Sequence, residues 1–408
     1  MADVKIKPKV ISKQDEQPSL SKVQAHPNIV DEEEEVTDAQ IPLGGQENTQ
    51  ETITPNIDLP DLGVLNSLLL DSSITEIMVN DTRNVMIEKN GSLAKTDIKI
   101  DTKEELNRIT RNILDVTGGI ISPDQPYLDL MLPGGSRVNI TASPLVSSGT
   151  CITIRKHSKK LKIERLIQAG ALDQRMAYFL NVCVVGKLNI LISGGTGSGK
   201  TTLLNTLCSF IPKSERVITI EETPEIILNH ENKVMMQTKP QTPTSPAITE
   251  SDLLANALRM RPDRIIVGEC RRGEALDMLQ AMNTGHEGSM TTIHANSTRD
   301  GISRLETLCL LSGVELPLLA IKKQAASALD LVIQIKRFRN GKRRITNISE
   351  ISGIENNVIT MQEIFTFELD NSDPTKPDSG RFKTTGFVPK FIETLRKEGI
   401  DFPKNYFG

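Results

Sequence analysis

Between Gly194 and Thr201 the chain reads Gly-Gly-Thr-Gly-Ser-Gly-Lys-Thr, which satisfies the pattern G-x-x-x-x-G-K-[ST] at every required position. Its flanks narrow the fold. Leu188-Asn189-Ile190-Leu191-Ile192 is a short apolar run that reads as a buried strand. After the loop, Leu203, Leu204, Leu207 and Phe210 fall on one helical face, and Pro212 stops the pattern. Strand, glycine loop and helix together suit a phosphate: glycines let backbone N–H groups turn inward, and the helix N-terminus adds positive potential. The candidate nucleotide-binding residues are Gly194, Gly195, Thr196, Gly197, Ser198, Gly199, Lys200, Thr201 and Thr202. Lys200, on a loop read as solvent-facing, reaches the β/γ-phosphates of ATP, and the Thr201 hydroxyl holds Mg²⁺. A chance glycine-rich turn has no need of this strand–helix context.

The chain has 408 residues, enough for two or three domains. Its net charge of −4, with dispersed basic residues, argues against a general nucleic-acid binder, so no direct nucleic-acid contact is expected. The most apolar stretch, Tyr178 to Ile192, is broken by Asn181, Lys187 and Asn189, so no membrane-spanning helix is expected. The lysine-bearing N-terminus lacks the apolar run of a secretory signal. Cys151, Cys183, Cys208, Cys270 and Cys309 form no close pair, and reduced cytosolic thiols are the expectation.

Residues 1–56 form a polar tail with Pro8, Pro18, Pro27, Pro42 and Pro55 and the acidic run Asp31 to Glu35; such a segment cannot bury enough apolar surface to order itself. Residues 57–157 read as an α+β domain: a short helix at Leu62 to Leu70, strands at Ile74 to Val79 and Val85 to Glu88, a turn at Asn90-Gly91, and a helix at Glu104 to Val116. A hairpin around Pro133-Gly134-Gly135 and a strand at Cys151 to Lys156 complete it. Residues 158–163 form a basic linker. Residues 164–408 open with an amphipathic helix marked by Leu172, Met176, Phe179 and Cys183 and alternate strand and helix to about residue 335, which implies an α/β core with a mainly parallel sheet. Strand-like pieces at Ile333 to Phe338, Arg344 to Ser349 and Met361 to Glu368 form a small C-terminal extension.

Three further strand tips fall after the glycine loop. Val217 to Ile220 ends in Glu221-Glu222-Thr223-Pro224-Glu225, where a carboxylate can polarise an attacking water; a solvated acidic turn is the other reading. Arg264 to Val267 ends in Gly268-Glu269, and a helix before it opens with a capping box, Thr249 to Asp252, and runs to about Met260. A carboxylate such as Glu269 beside a phosphate loop can bind Mg²⁺ through water or orient the nucleophile. Met290 to Ile293 ends in His294, either a structural histidine or a γ-phosphate contact at the same sheet edge.

Taken together, GGTGSGKTT, TIEETPE, RMRPDRIIVGECR and AMNTGHEGSMTTIHANS resemble the P-loop, aspartate box, Walker B and histidine box of the type II/IV secretion ATPase superfamily, and most resemble its CpaF (TadA) branch, which drives Tad/Flp pili. The likeness extends upstream through Ile74 to Gly91 and PGGSRVN to TIRKH, and downstream through Ser349 to Glu368. It departs at Glu221-Glu222, where the family has Glu-Asp, and at Cys270-Arg271-Arg272-Gly273. The resemblance implies a P-loop (RecA-like) core behind a smaller nucleotide-facing domain, working as a homo-hexameric cytoplasmic ring. That ring would be peripheral to the inner membrane, against a platform protein of a pilus or secretion machine. It further implies that Lys200 and Thr201 contact phosphate and Mg²⁺, that Glu225 with Glu221 nearby supplies acid/base carboxylates, and that Glu269 is the Walker B glutamate and a metal-site residue. His294 becomes the histidine-box residue, and Arg137 and Arg155 face phosphate. An ATP-hydrolysing motor for pilus assembly or secretion follows. The alternatives are the ATPase of a conjugation-like type IV secretion system, and a nucleotide-gated scaffold with negligible turnover.

Overall fold

The computed structural model describes residues 60–89, 91–156, 162–242, 244–370 and 378–408; the polar tail, Asn90 and most of the basic linker lie outside them. A 3-10 turn at Gly63–Leu65 leads into α1 (Asn66–Leu70). There follow β1 (Ile74–Asp81), β2 (Asn84–Lys89), β3 (Ser92–Lys95), α2 (Lys103–Thr117), β4 (Tyr127–Met131), β5 (Arg137–Thr141) and β6 (Cys151–Arg155). The strands form a six-stranded antiparallel sheet in the order β3-β2-β1-β6-β5-β4. Ile77 and Val79 of β1, Val85 of β2, Val138 and Ile140 of β5, and Ile152 and Ile154 of β6 bury one face of it. α2 lies in the same core through Leu106, Ile109 and Ile113, a spacing that keeps all three on one helical face. Thr102 caps its start by accepting from the Glu105 N–H, and Gly118 ends it at φ 67°.

The second part begins with α3 (Ile163–Gln168) and α4 (Gln174–Val185), then β7 (Ile190–Gly194), α5 (Lys200–Cys208), β8 (Val217–Glu221) and β9 (Lys233–Gln237). It continues through α6 (Glu250–Ala257), β10 (Arg264–Val267), α7 (Glu274–Asn283), β11 (Met290–Ile293), α8 (Thr298–Leu310) and α9 (Leu318–Ala328). β12 (Leu331–Arg337), β13 (Arg343–Glu355), β14 (Val358–Leu369), β15 (Gly380–Thr384) and α10 (Ile392–Lys397) complete it. The sheet has nine strands in the order β15-β14-β13-β12-β7-β11-β10-β8-β9. From β12 to β9 neighbours run parallel, and β12 to β15 are antiparallel. Parallel strands covered on both sides read as unbroken apolar runs, as in the wholly buried Ile-Leu-Ile-Ser-Gly of β7 and Val-Ile-Thr-Ile-Glu of β8.

Several expectations shift here. The pieces expected as a C-terminal extension are strands of the same sheet, because β12 pairs in parallel with β7 and carries β13 to β15 with it. The capping box at Thr249 and Asp252 is present, but its helix stops at Ala257 rather than near Met260. Phe210 lies beyond the end of α5. α4 is buried almost all round rather than amphipathic. Its Tyr178 and Phe179 meet Phe365, Phe391, Phe402, Tyr406 and Phe407 in one aromatic cluster, and the Tyr406 hydroxyl donates to the Arg175 carbonyl. No helix among the described residues is long and apolar enough to cross a membrane.

Candidate functional site

The parallel pairing sets the carboxyl ends of β7, β11, β10 and β8 side by side, with Ile293 level with Ser193 and Val267 level with Ile220. Residues that follow these strands therefore meet at one edge, where open α/β sheets bind ligands. After β7 the chain turns through Gly195 to Gly199 into α5. Gly199, at φ 98°, is the helix N-cap, a conformation that side chains disfavour. At Gly194 a side chain has no room, since a Cβ would stand 2.6 Å from the Ile335 carbonyl oxygen. The N-terminus of α5 carries no side-chain cap, which leaves its N–H groups for an anion.

Above this turn lies a cavity of about 280 Å³, lined by both parts of the chain. The six-stranded sheet contributes Gly135, Arg137, Arg155 and Lys156. The second part, on and around the nine-stranded sheet, contributes Thr196 to Thr202, Asn205, Glu221, Glu222, Glu225, Glu250, Glu269, Arg271, Thr292 and His294. Of the candidate nucleotide residues, Gly194 and Gly195 are not on the cavity wall. Their carbonyl oxygens instead accept from Lys200 Nζ at 3.0 and 3.2 Å. Lys200 is thus not on a solvent-facing loop: it is the first residue of α5 and only 7% exposed. Burial lowers its pKa from 10.5 to about 8, against the pull of Glu269, while the cations of Arg155 and Arg271 push it down further.

Arg271 donates to one oxygen of Glu269 through Nε at 2.9 Å; the other oxygen lies 2.6 Å from His294 Nε2 but makes no hydrogen bond. Arg271 also pairs with Glu222, tying the tip of β8 to that of β10. Lys200 Nζ is 3.3 Å from the His294 ring. Burial, then the Lys200 cation, lowers the His294 pKa against the pull of Glu269. Arg155 reaches across to Glu225 at 3.9 Å, whereas Arg137 turns to Asp129 of its own sheet at 3.4 Å.

Glu221 is turned into the protein. Its Oε1 accepts from the Glu225 N–H at 2.9 Å and the Ile226 N–H at 3.1 Å, so it shapes the loop that carries Glu225. Burial raises its pKa from 4.5 to about 7 and the Glu225 charge adds to this, while the two N–H groups oppose it. Asn205 clamps the same loop, donating to the Glu225 carbonyl at 2.8 Å and accepting from the Ile227 N–H at 2.7 Å. Sequence reasoning passed over Asn205, Glu250 and Lys156, named Glu222 only as one of three strand-tip carboxylates, and treated Arg271 only as a departure from a pattern. For Arg271 a signal existed, since it stands two positions past a strand-tip carboxylate; for Asn205, inside a helix, none did.

The wall fits a magnesium nucleotide. The Ser198 hydroxyl is buried with no hydrogen-bond partner in the structure, and it lines the cavity beside Thr201. Among the described residues no group of three or more histidine, cysteine or acidic side chains forms a metal cage. A Mg²⁺ here would take most of its oxygens from phosphate and water, the usual arrangement for this ion.

The sequence profile of the type II/IV secretion system protein family matches residues 58–360. The conjugal transfer protein TrbB of Rhizobium radiobacter is 32% identical over 70% of this chain and 86% of its own length. An uncharacterised protein of Methanocaldococcus jannaschii is 44% identical over 56% of this chain, which spans only 33% of that protein's length. Among solved structures, the ATPase DotB of Yersinia pseudotuberculosis superposes with a TM-score of 0.51 at 19% identity, over 70% of this chain and 78% of its own; it supports the fold. The profile covers the whole of the cavity-lining set, and the chain belongs to the type II/IV secretion system protein family.

Proposed function

We propose that the chain is an ATPase of a secretion or pilus machine, which hydrolyses MgATP at this cavity and turns hydrolysis into relative movement of two domains. The carrying observation is that Lys200, Glu269, His294 and Arg271 form one contact chain against the glycine loop, with Arg155 facing it from the other sheet. Lys200 would leave its carbonyl partners for the β/γ-phosphates, exchanging neutral acceptors for charged ones. Glu269, aimed by Arg271 and beside His294, would orient the attacking water, and Glu225 would be the second carboxylate within reach. Arg137 and Arg155 would bind phosphate oxygens. Mg²⁺, when bound with Thr201 and Glu269 at its edge, would neutralise charge on the phosphate oxygens. A homo-hexameric ring at the cytoplasmic face of the inner membrane, docked on a platform protein, is the assembly this reading carries.

The motif resemblance favours the CpaF branch and pilus assembly. The TrbB relative, named a conjugal transfer protein and covered over 86% of its length, favours a conjugation-like type IV secretion system as the second reading. Phosphate release by the purified chain tests the activity. Turnover should require Mg²⁺ and fall to background in Lys200→Ala. Normal turnover by folded Lys200→Ala overturns the assignment, and a native chain that binds ATP without turnover leaves a nucleotide-gated scaffold instead.

A further inference from the structure

Behind the glycine loop, away from the cavity, a second set of contacts links it to the other sheet. Arg343, the first residue of β13, donates through Nε to the Gly197 carbonyl at 2.9 Å. Its Nη2 lies 3.5 Å from Glu88 Oε1 in β2. Arg337, the last residue of β12, pairs with the same Glu88 oxygen at 3.1 Å and donates to the Gly91 carbonyl. Glu88 is buried, and neither arginine lines the cavity. A buried carboxylate between two guanidinium groups is costly to break, because removing one partner strands the other charges.

We propose that Arg343 is a positioning residue for the phosphate loop and that Glu88 holds it in place, so that nucleotide affinity depends on how the six-stranded sheet is docked. The physical link is peptide planarity. In a trans peptide the C=O and N–H point oppositely, so fixing the Gly197 carbonyl on Arg343 fixes the Ser198 N–H on the other side, where it donates to the Gly195 carbonyl at 3.3 Å. That bond sets the curl of the loop whose N–H groups would cradle the phosphates. Release of Glu88 frees Arg343 and lets this peptide rotate. By reciprocity, a bound nucleotide tightens the grip of the loop on Arg343 and of Arg343 on β2. The inference rests on the cavity being a nucleotide site.

The test uses the full chain, with Mg-ATPγS for binding and MgATP for turnover. Glu88→Gln keeps size and removes charge; it should raise the Kd for Mg-ATPγS and the KM for MgATP by about three- to tenfold, with kcat changing less than about twofold. Arg343→Met should raise both at least as much, and the double variant should be no worse than Arg343→Met alone, since the two residues act in series. In the native chain, Mg-ATPγS should slow amide hydrogen exchange across residues 84–95, and Arg343→Met should abolish that slowing. A merely structural ion pair would lower unfolding midpoints and leave Kd and KM alone. A native chain without affinity for Mg-ATPγS overturns both the site and the latch. Native binding matched by folded Glu88→Gln, multiplicative effects in the double variant, or unaltered exchange at residues 84–95 overturns the latch alone.

Discussion

Glu221→Gln isolates a single buried proton. The carboxyl is 5% exposed and titrates at about 7 rather than 4.5, chiefly through burial. Because the folded chain binds this proton more tightly than the unfolded chain, the associated stability is fully present below pH 4.5 and is lost as pH rises to about 7. The gap between 4.5 and about 7, at about 1.4 kcal/mol per pH unit, amounts to about 3 kcal/mol. Glutamine cannot ionise, yet its carbonyl can accept from the Glu225 and Ile226 N–H groups as the carboxyl does. The variant should therefore exceed the native chain by less than about 1 kcal/mol near pH 5 and by about 3 kcal/mol near pH 8. Urea midpoints by circular dichroism between pH 5 and pH 9 measure the difference between the two chains, in which all other titrations cancel. A difference that stays flat with pH, or a variant that loses ground as pH rises, refutes the reasoning: it would mean that the two N–H groups outweigh burial and keep Glu221 ionised.

Glu269→Gln keeps the size of the side chain and weakens its charged contact with Arg271; nucleotide binding should persist while phosphate release falls about 10²-fold or more, and wild-type turnover would remove Glu269 from the catalytic set. If the ring is the working form, specific activity should rise with protein concentration alongside the hexamer fraction in sedimentation, and activity independent of concentration in a monomer would sink the ring. Arg155→Ala should lower turnover more than Arg137→Ala, because Arg155 already faces Glu225 whereas Arg137 is engaged with Asp129; equal losses would show that Arg137 swings in when nucleotide binds.

The parts of the site that could be read in advance are those in which a local pattern meets a sheet edge. A glycine loop between an apolar run and a helix admits few conformations, and charged residues directly after β8, β10 and β11 must land together once those strands run parallel. The capping box at Thr249 was legible because both of its residues lie within one turn. Edge strands were not: Lys233–Gln237 alternates exposed and half-buried positions without a strong apolar run, and Ser92–Lys95 is exposed throughout. The burial of Lys200 was hidden because a sequence shows its charge but not the two carbonyls that receive it. Arg337 and Arg343 were hidden for the reason that sheet order was, since their partners at Gly197 and Glu88 stand about 146 and 255 positions away from Arg343.

The aromatic cluster on α4 has a consequence for how the chain is made. It gathers seven rings from a sequence with only ten phenylalanines and three tyrosines, and its Tyr406–Arg175 bond spans 231 residues. At a synthesis rate of roughly 5–20 residues per second, Tyr178 and Phe179 leave the ribosome about 10–50 s before Phe402, Tyr406 and Phe407 can cover them. During that interval the glycine loop and its parallel strands are already translated while the base of α4 is a bare aromatic shelf. Transiently exposed apolar surface of this kind is what makes a partly made chain prone to aggregation.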